Sequence, residues 1–277
     1  MFEPNCVIAV ITPEATLKSP KVKARIISIL RDNIRVAFKR NNLADNKVVE
    51  RASRFFIYSE NVKKTAFVLE NVFGIHSLFL AEEKKFISLE ELAKEAVQAS
   101  NGIIKSTFAV RAKSFMAKTR SKEIEILLGS KILENIDGTK VNLSKPNNQL
   151  NVLLFEDKYY FWFEEIKGAR GLPYSSQGKV CLMCSDKKNS LRLGYALLKS
   201  GCSICVVGEE LDEINKKFYY SPEKISIEKA KQLFSDGKLL GFFSDAKTVK
   251  DANKFSKEMG VKAFAPLICV ELKTPFD

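Results

Sequence analysis

The chain has 277 residues, 45% apolar and 10% aromatic, which suits two or three folded domains and excludes a disordered tail. Lys and Arg number 45 against 33 Asp and Glu, a net charge of +12, and such a positive field favours polyanionic partners. The single histidine, His76, all but excludes a Ser-His-Asp triad or a multi-histidine metal site and reads as structural; no apolar run reaches the ~18 residues of a membrane span.

Residues 5–11 read as a strand. Ser19-Pro20 is a helix start, with Ser at the N-cap and Pro at the first helical position. Val22, Ile26, Ile29, Leu30, Ile34, Ala37 and Phe38 then mark one face of a helix to about residue 40. Strands follow at 53–58 and 76–81, helices at 61–71 and 88–100, then an alternating strand over 105–113 and a helix from about residue 121. Residues 150–164 read as a hairpin turning at Glu156-Asp157, its second arm carrying Tyr159, Tyr160, Phe161, Trp162 and Phe163. From residue 168 the pattern becomes strand 179–184, helix 189–199, strand 202–207, helix 225–235, strand 238–243, helix 247–259 and strand 262–266. Such alternation predicts a parallel sheet in an α/β domain, after an α+β first half. The segment 168–178, with three glycines and a proline, reads as a hinge. The start Met1-Phe2-Glu3-Pro4 lacks the basic-then-apolar pattern of a secretory leader, so a cytoplasmic protein is expected.

Six cysteines include Cys181, Cys184, Cys202 and Cys205, two Cys-x-x-Cys pairs seventeen residues apart. That spacing suits a four-thiolate zinc site. The context opposes it, because both pairs sit in apolar strand sequences without a knuckle turn, and strand residues three apart face opposite ways. Parallel strands would also set Cys184 and Cys202 at opposite ends. Buried free thiols are expected, with no metal.

Two stretches are strongly basic. Residues 17–40 hold eight cations, Lys18, Lys21, Lys23 and Arg25 among them, against the one acid Asp32. Residues 105–122 hold Lys105, Arg111, Lys113, Lys118, Arg120 and Lys122 with no acid, and Phe115 and Met116 lie between. Cations at a strand end and loop suit phosphate contacts, and Phe115 suits stacking on an unpaired base. The alternative is a solvated charged face with Phe115 in the core.

Several short stretches, in order and spacing, resemble the tRNA 4-thiouridine synthetase family. Pro13-Glu14-Ala15-Thr16-Leu17-Lys18-Ser19 is similar to its N-terminal Pro-Glu-x-x-x-Lys-Ser stretch, and Gly74-Ile75-His76 to a step of its THUMP domain. Thr107-Phe108-Ala109-Val110-Arg111-Ala112-Lys113 resembles that domain's basic strand. Gly171-Leu172-Pro173 and Gln177-Gly178 resemble the linker to an adenylating PP-loop domain. The resemblance implies a ferredoxin-like domain over 1–54, a THUMP domain over 55–167 and a truncated α/β PP-loop-like domain over 168–277. It also implies tRNA, held near its acceptor end, as partner.

The family's pyrophosphate turn reads Ser-Gly-Gly-x-Asp-Ser, whose glycines let backbone N–H groups approach the phosphates. Here the turn is Ser185-Asp186-Lys187-Lys188-Asn189-Ser190, and only the two serines match. Side chains would fill the phosphate space, and Asp186 would repel the ligand, although Lys187 and Lys188 offer point charges. Cys269 falls on no family motif. The expected function is therefore a tRNA-binding THUMP protein with a degenerate PP-loop domain, no catalytic residues and no cofactor, serving a separate modifying enzyme. ATP-Mg enters only if the altered turn still binds nucleotide. The alternatives are an active ATP-dependent tRNA sulfurtransferase, with Cys184 nearest the site, and a zinc-bound interaction module. A homodimer is compatible with the sequence.

Overall fold

The computed structural model describes residues 2–116, 119–268 and 274–276. The chain divides into two compact units, each assembled from separated stretches: residues 1–10, 45–67 and 77–167 form the first, and 11–44, 68–76 and 168–277 the second.

The first unit is built on a nine-stranded sheet. Its strand order is Lys47–Arg51, Arg54–Tyr58, Cys6–Ile11, Ile75–Lys85, Lys158–Trp162, Asn148–Phe155, Thr107–Ser114 and Lys140–Val141, with Ile166–Lys167 pairing beside Ile75–Lys85. The first four strands, with the helices Pro20–Arg40 and Val62–Leu69 between them in sequence, give the β-α-β-β-α-β chain order of a ferredoxin-like domain. The strand Lys47–Arg51 escapes the sequence reading. Its hairpin turns at Ala52-Ser53, both left-handed (φ 48° and 60°), where an Asn-Gly signal would be expected.

Thr107–Ser114 runs parallel to Asn148–Phe155, which forms the anticipated hairpin with Lys158–Trp162. The helices Leu89–Ser100 and Ser121–Asn135 pack with one face of these strands through Leu92, Ala96, Phe108, Ile124, Leu128 and Leu150, all fully buried. Leu89–Ser100 starts where Ser88 Oγ accepts the Glu91 N–H at 3.1 Å, and Glu90 and Glu91 complement the helix dipole. On the opposite face the rings of Phe56 and Tyr160 lie 5.0 Å apart although two strands separate theirs. A flat sheet would set those strands roughly 14 Å apart, so the sheet curls inward on this face.

The second unit holds a five-stranded, all-parallel sheet in the order Glu223–Lys224, Cys202–Gly208, Gly178–Cys184, Phe242–Ser244 and Ala263–Phe264. The expected strand 238–243 begins at Phe242, because Gly237 is left-handed (φ 69°) and turns the chain first. The helix expected at 189–199 starts at Lys187, since Asp186 caps it by accepting the Asn189 N–H at 2.8 Å. Helix Asp212–Phe218 is absent from the sequence reading; its seven residues are too few for a periodic signal.

Alternation along Gly178–Cys184 sends Val180, Leu182 and Cys184 into one core layer and Cys181 and Met183 into the other. Cys181 lies in register with Cys205, whereas Cys184 pairs with Gly208 and Cys202 with Gly178. Among the described residues no group of three or more His, Cys, Asp or Glu is placed to hold a metal ion. Cys269 lies outside the described residues.

The segment 168–178 is not a free hinge. Gly168 N donates to His76 O at 3.0 Å, Arg170 N to Ile75 O at 2.8 Å and Leu172 N to Lys199 O at 2.9 Å. A Cβ on Gly168 would stand 2.3 Å from the Ile75 carbonyl oxygen, and one on Gly171 2.2 Å from that of Lys199. The glycines serve close backbone approach here, which composition alone does not distinguish from flexibility. Gly168→Ala is expected to lower unfolding stability in urea by at least about 2 kcal/mol, since backbone must shift. Gly129→Ala, in the helix Ser121–Asn135 with nothing within 4 Å of its Cβ position, should raise it by about 0.5–1 kcal/mol. Equal stabilities for the two variants would refute this account.

Candidate nucleic-acid interface

The strand Thr107–Ser114 buries Phe108 and Val110 toward its helices, so its period of two turns Arg111 and Lys113 to the curled face. Register then builds a row across the sheet, with Arg111 opposite Asn151 and Asn151 opposite Trp162. Trp162 stacks on Phe79 at 4.8 Å between ring centroids and 24° between planes. Arg54, paired with Val10 across the sheet, lines the same hollow of about 310 Å³. Three cations therefore share a concavity with a stacked aromatic pair, and no carboxylate lines it among the described residues. Arg111 Nη2 donates to Leu143 O at 2.5 Å and Arg54 Nη1 to Ala52 O at 3.0 Å, which fixes both guanidinium groups. Burial pulls the Arg54 guanidinium below its ordinary pKa, the mark of a cation partly withdrawn from water.

Lys122 of the same basic stretch does not join them. Lys122 begins the helix on the opposite face, pairs with Glu125 at 3.7 Å and lines a separate, apolar hollow with Ile126 and Leu133. Arg120 is exposed at that helix start, and Lys118 lies outside the described residues. Phe115 is 48% exposed, edge-on to Phe155 at 5.6 Å, with Lys113 Nζ 5.1 Å from its ring centroid. Its ring therefore lies at the surface and not in the core.

Lys18, Lys21, Lys23 and Arg25 belong to the second unit. Ser19 holds the N-cap position before Pro20 as expected, yet its hydroxyl makes no capping bond. Lys18 and Lys21 are exposed, whereas Arg25 Nη2 donates to Ser176 O at 3.1 Å. Sequence reasoning missed Arg54, Phe79, Asn151 and Trp162. The aromatic arm 159–163 was the available signal, but only the register shows that Trp162 stands in line with Arg111.

The turn after Gly178–Cys184 has a different chemistry. Asp186 caps the following helix, and Lys187 Nζ pairs with Glu213 Oε1 at 2.8 Å. Lys188 is exposed and Asn189 half-buried. Asp245, 1% exposed just beyond the strand Phe242–Ser244, turns its carboxylate into the turn. Ser185 N and Asp186 N donate to Asp245 Oδ2, each at 2.8 Å, Ser185 Oγ donates to Oδ1 at 2.6 Å, and Ser190 Oγ to Oδ2 at 2.5 Å. A nucleotide phosphate would need those same donors and would meet two carboxylates, so the residues present do not fit ATP in this turn. Burial pushes the Cys184 thiol up to about 11, and the Asp245 charge adds to the shift.

The ThiI ferredoxin-like domain model matches residues 7–78, and the THUMP domain model residues 83–163. The probable tRNA sulfurtransferase of Bacillus velezensis (strain DSM 23117 / BGSC 10A6 / LMG 26770 / FZB42) is 32% identical over 227 residues, covering 78% of this chain and 52% of the relative. The tRNA sulfurtransferase of Blochmanniella pennsylvanica (strain BPEN) is 27% identical over 208 residues, covering 72% and 42%. The chain spans about half the length of these curated relatives. A crystal structure of a Pyrococcus horikoshii Ot3 protein superposes with a TM-score of 0.81 at 24% identity, covering 96% of this chain and 95% of that one. A 4-thiouridine synthetase solved with RNA and bound ATP gives 0.74 at 19% identity, covering 95% and 80%. At these identities the two structures speak for the fold, with its ferredoxin-like and THUMP parts followed by a parallel α/β domain. Through its ferredoxin-like and THUMP domains, the chain belongs to the family of the tRNA sulfurtransferases.

Proposed function

We propose that this chain is a tRNA-binding protein of tRNA modification that does not adenylate RNA itself. The observation that carries this reading is the hollow in which Arg54, Arg111 and Lys113 surround the Phe79–Trp162 stack. Cations there would neutralise backbone phosphates, and aromatic planes take unpaired bases such as those of a tRNA acceptor end. The names of the curated relatives, and the RNA in the solved 4-thiouridine synthetase complex, support tRNA as the ligand. Lys18 and Lys21 would add to the field that draws RNA in, while Lys122 would stay outside the contact. No described helix is long and apolar enough to cross a membrane. Against self-adenylation stand Asp186 and Lys187 at the two glycine positions, the Lys187–Glu213 pair, and the protonated Cys184. The bound tRNA would then be modified by a separate enzyme, in the cytoplasm.

In filter or fluorescence titrations, Arg111→Glu combined with Lys113→Glu should weaken tRNA binding at least tenfold and reduce the salt slope by about two. Lys122→Glu should leave both nearly unchanged, and Trp162→Ala should cost about 1–3 kcal/mol of affinity for single-stranded RNA. Full affinity in the double variant would remove RNA from this hollow.

Cys184 separates this reading from an active sulfurtransferase. With its thiol at about 11, roughly one molecule in ten thousand is thiolate at pH 7. Native Cys184 should therefore be alkylated by iodoacetamide at least a hundredfold more slowly than in the urea-unfolded chain, followed by peptide mass spectrometry. Because folding raises this pKa from 9.0, the stability it contributes is whole below about pH 9 and lost as pH rises toward 11. Rapid native labelling would restore the sulfurtransferase alternative.

A further inference from the structure

We infer that Asp245 is the resident anion of the turn 185–190, a carboxylate of the chain itself standing where a nucleotide's phosphates would bind. This deepens the reading that the chain does not adenylate, and it explains which family residues survive. A turn just before a helix start, whose backbone N–H groups and hydroxyls point to one place, is an anion site by construction. Here the anion comes from the neighbouring parallel strand, since Met183 pairs with Ser244 and Asp245 follows at once. Its two oxygens accept four hydrogen bonds, two from backbone N–H groups and two from hydroxyls. A carboxylate that is 1% exposed is tolerated only when so compensated, because an unpaired buried charge is very costly.

Ser185 and Ser190 are the two positions where this turn keeps the family pattern, and both hydroxyls serve Asp245. Their retention therefore marks an internal contact and not a surviving nucleotide site. The loss of the glycines fits the same account. Once an internal carboxylate satisfies the turn, no external phosphate needs close backbone approach, and Asp186 is free to cap the helix with its own side chain. The site is closed to phosphate-bearing ligands generally, not to ATP alone.

The test uses the full chain and Asp245→Ala, with inorganic pyrophosphate as the probe against chloride of equal ionic strength. The unmodified chain should show no pyrophosphate-dependent shift in unfolding midpoint. Asp245→Ala should unfold roughly 5–10 °C lower and recover part of that loss in millimolar pyrophosphate, which would take over the vacated donors. A midpoint for the variant equal to that of the parent, or micromolar pyrophosphate or ATP-Mg binding by the unmodified chain, would overturn the inference. If Asp245→Ala does not fold, Ser190→Ala and Asp245→Asn provide a cycle. Ser190→Ala should destabilise the parent clearly and the Asp245→Asn variant several-fold less, and equal losses in both would overturn the assignment. RNA titration of the same unmodified sample keeps the two conclusions apart. A chain that binds neither RNA nor pyrophosphate loses the RNA reading and keeps Asp245 as the resident anion.

Discussion

The second unit depends on close contact between backbones that only glycine permits. Gly168 lies against the carbonyl of Ile75 and Gly171 against that of Lys199, each too near for a Cβ. These contacts bring the stretches 68–76 and 168–277 together, and Thr12 Oγ joins them by donating to Gly171 O at 2.9 Å. The helix Pro20–Arg40 is tied to the same segment through Asn33 Nδ2 to Tyr174 O at 3.3 Å and Arg25 to Ser176 O. Three distant pieces of sequence thus become one body. The linker's glycines at 168 and 171 thus serve close backbone contact.

In the first unit the ruling constraint is the period of two along each strand. It commits Phe108 and Val110 to the helix side and thereby commits Arg111 and Lys113 to the other. Pairing then decides their company. Had the hairpin 148–162 closed one residue differently, Trp162 would have turned into the helix-covered core and the row with Arg111 and Asn151 would be lost. Curling of the sheet converts that row from a flat stripe into a concavity where cations and rings can act on one ligand.

In the turn 185–190 a carboxylate of the chain itself, Asp245, accepts the hydrogen bonds that the turn's donors offer. Strand, turn and helix together set these donors about one acceptor from the neighbouring strand's end. Because a buried charge is tolerated only with full hydrogen bonding, this contact ties the turn to the end of the strand Phe242–Ser244. Burial and the Asp245 charge both hold the nearby Cys184 thiol above its ordinary pKa.

Much was legible in the sequence. Alternating strand and helix after residue 168, the helix at 20–40 and the hairpin at 156–157 follow from local periodicity and turn chemistry, which act over a few residues. The spacing of the cysteines and the parallel-strand argument already separated Cys184 from Cys202, and register agrees. Short-range signals failed where local chemistry was atypical, as at the Ala52-Ser53 turn, or too brief, as at Asp212–Phe218. The sites needed more. Arg111 and Lys113 stood out by composition, but Lys122 in the same stretch falls on the opposite face, and Arg54 and Trp162 join from residues about fifty away in sequence. Loss of the glycines in the turn was plain in the sequence, whereas Asp245, fifty-five residues beyond Ser190, was invisible there. Periodicity is a property of one segment, so sequence alone determines elements and their faces; which distant side chains meet is set by strand pairing and sheet curvature, and those exist only in the folded chain.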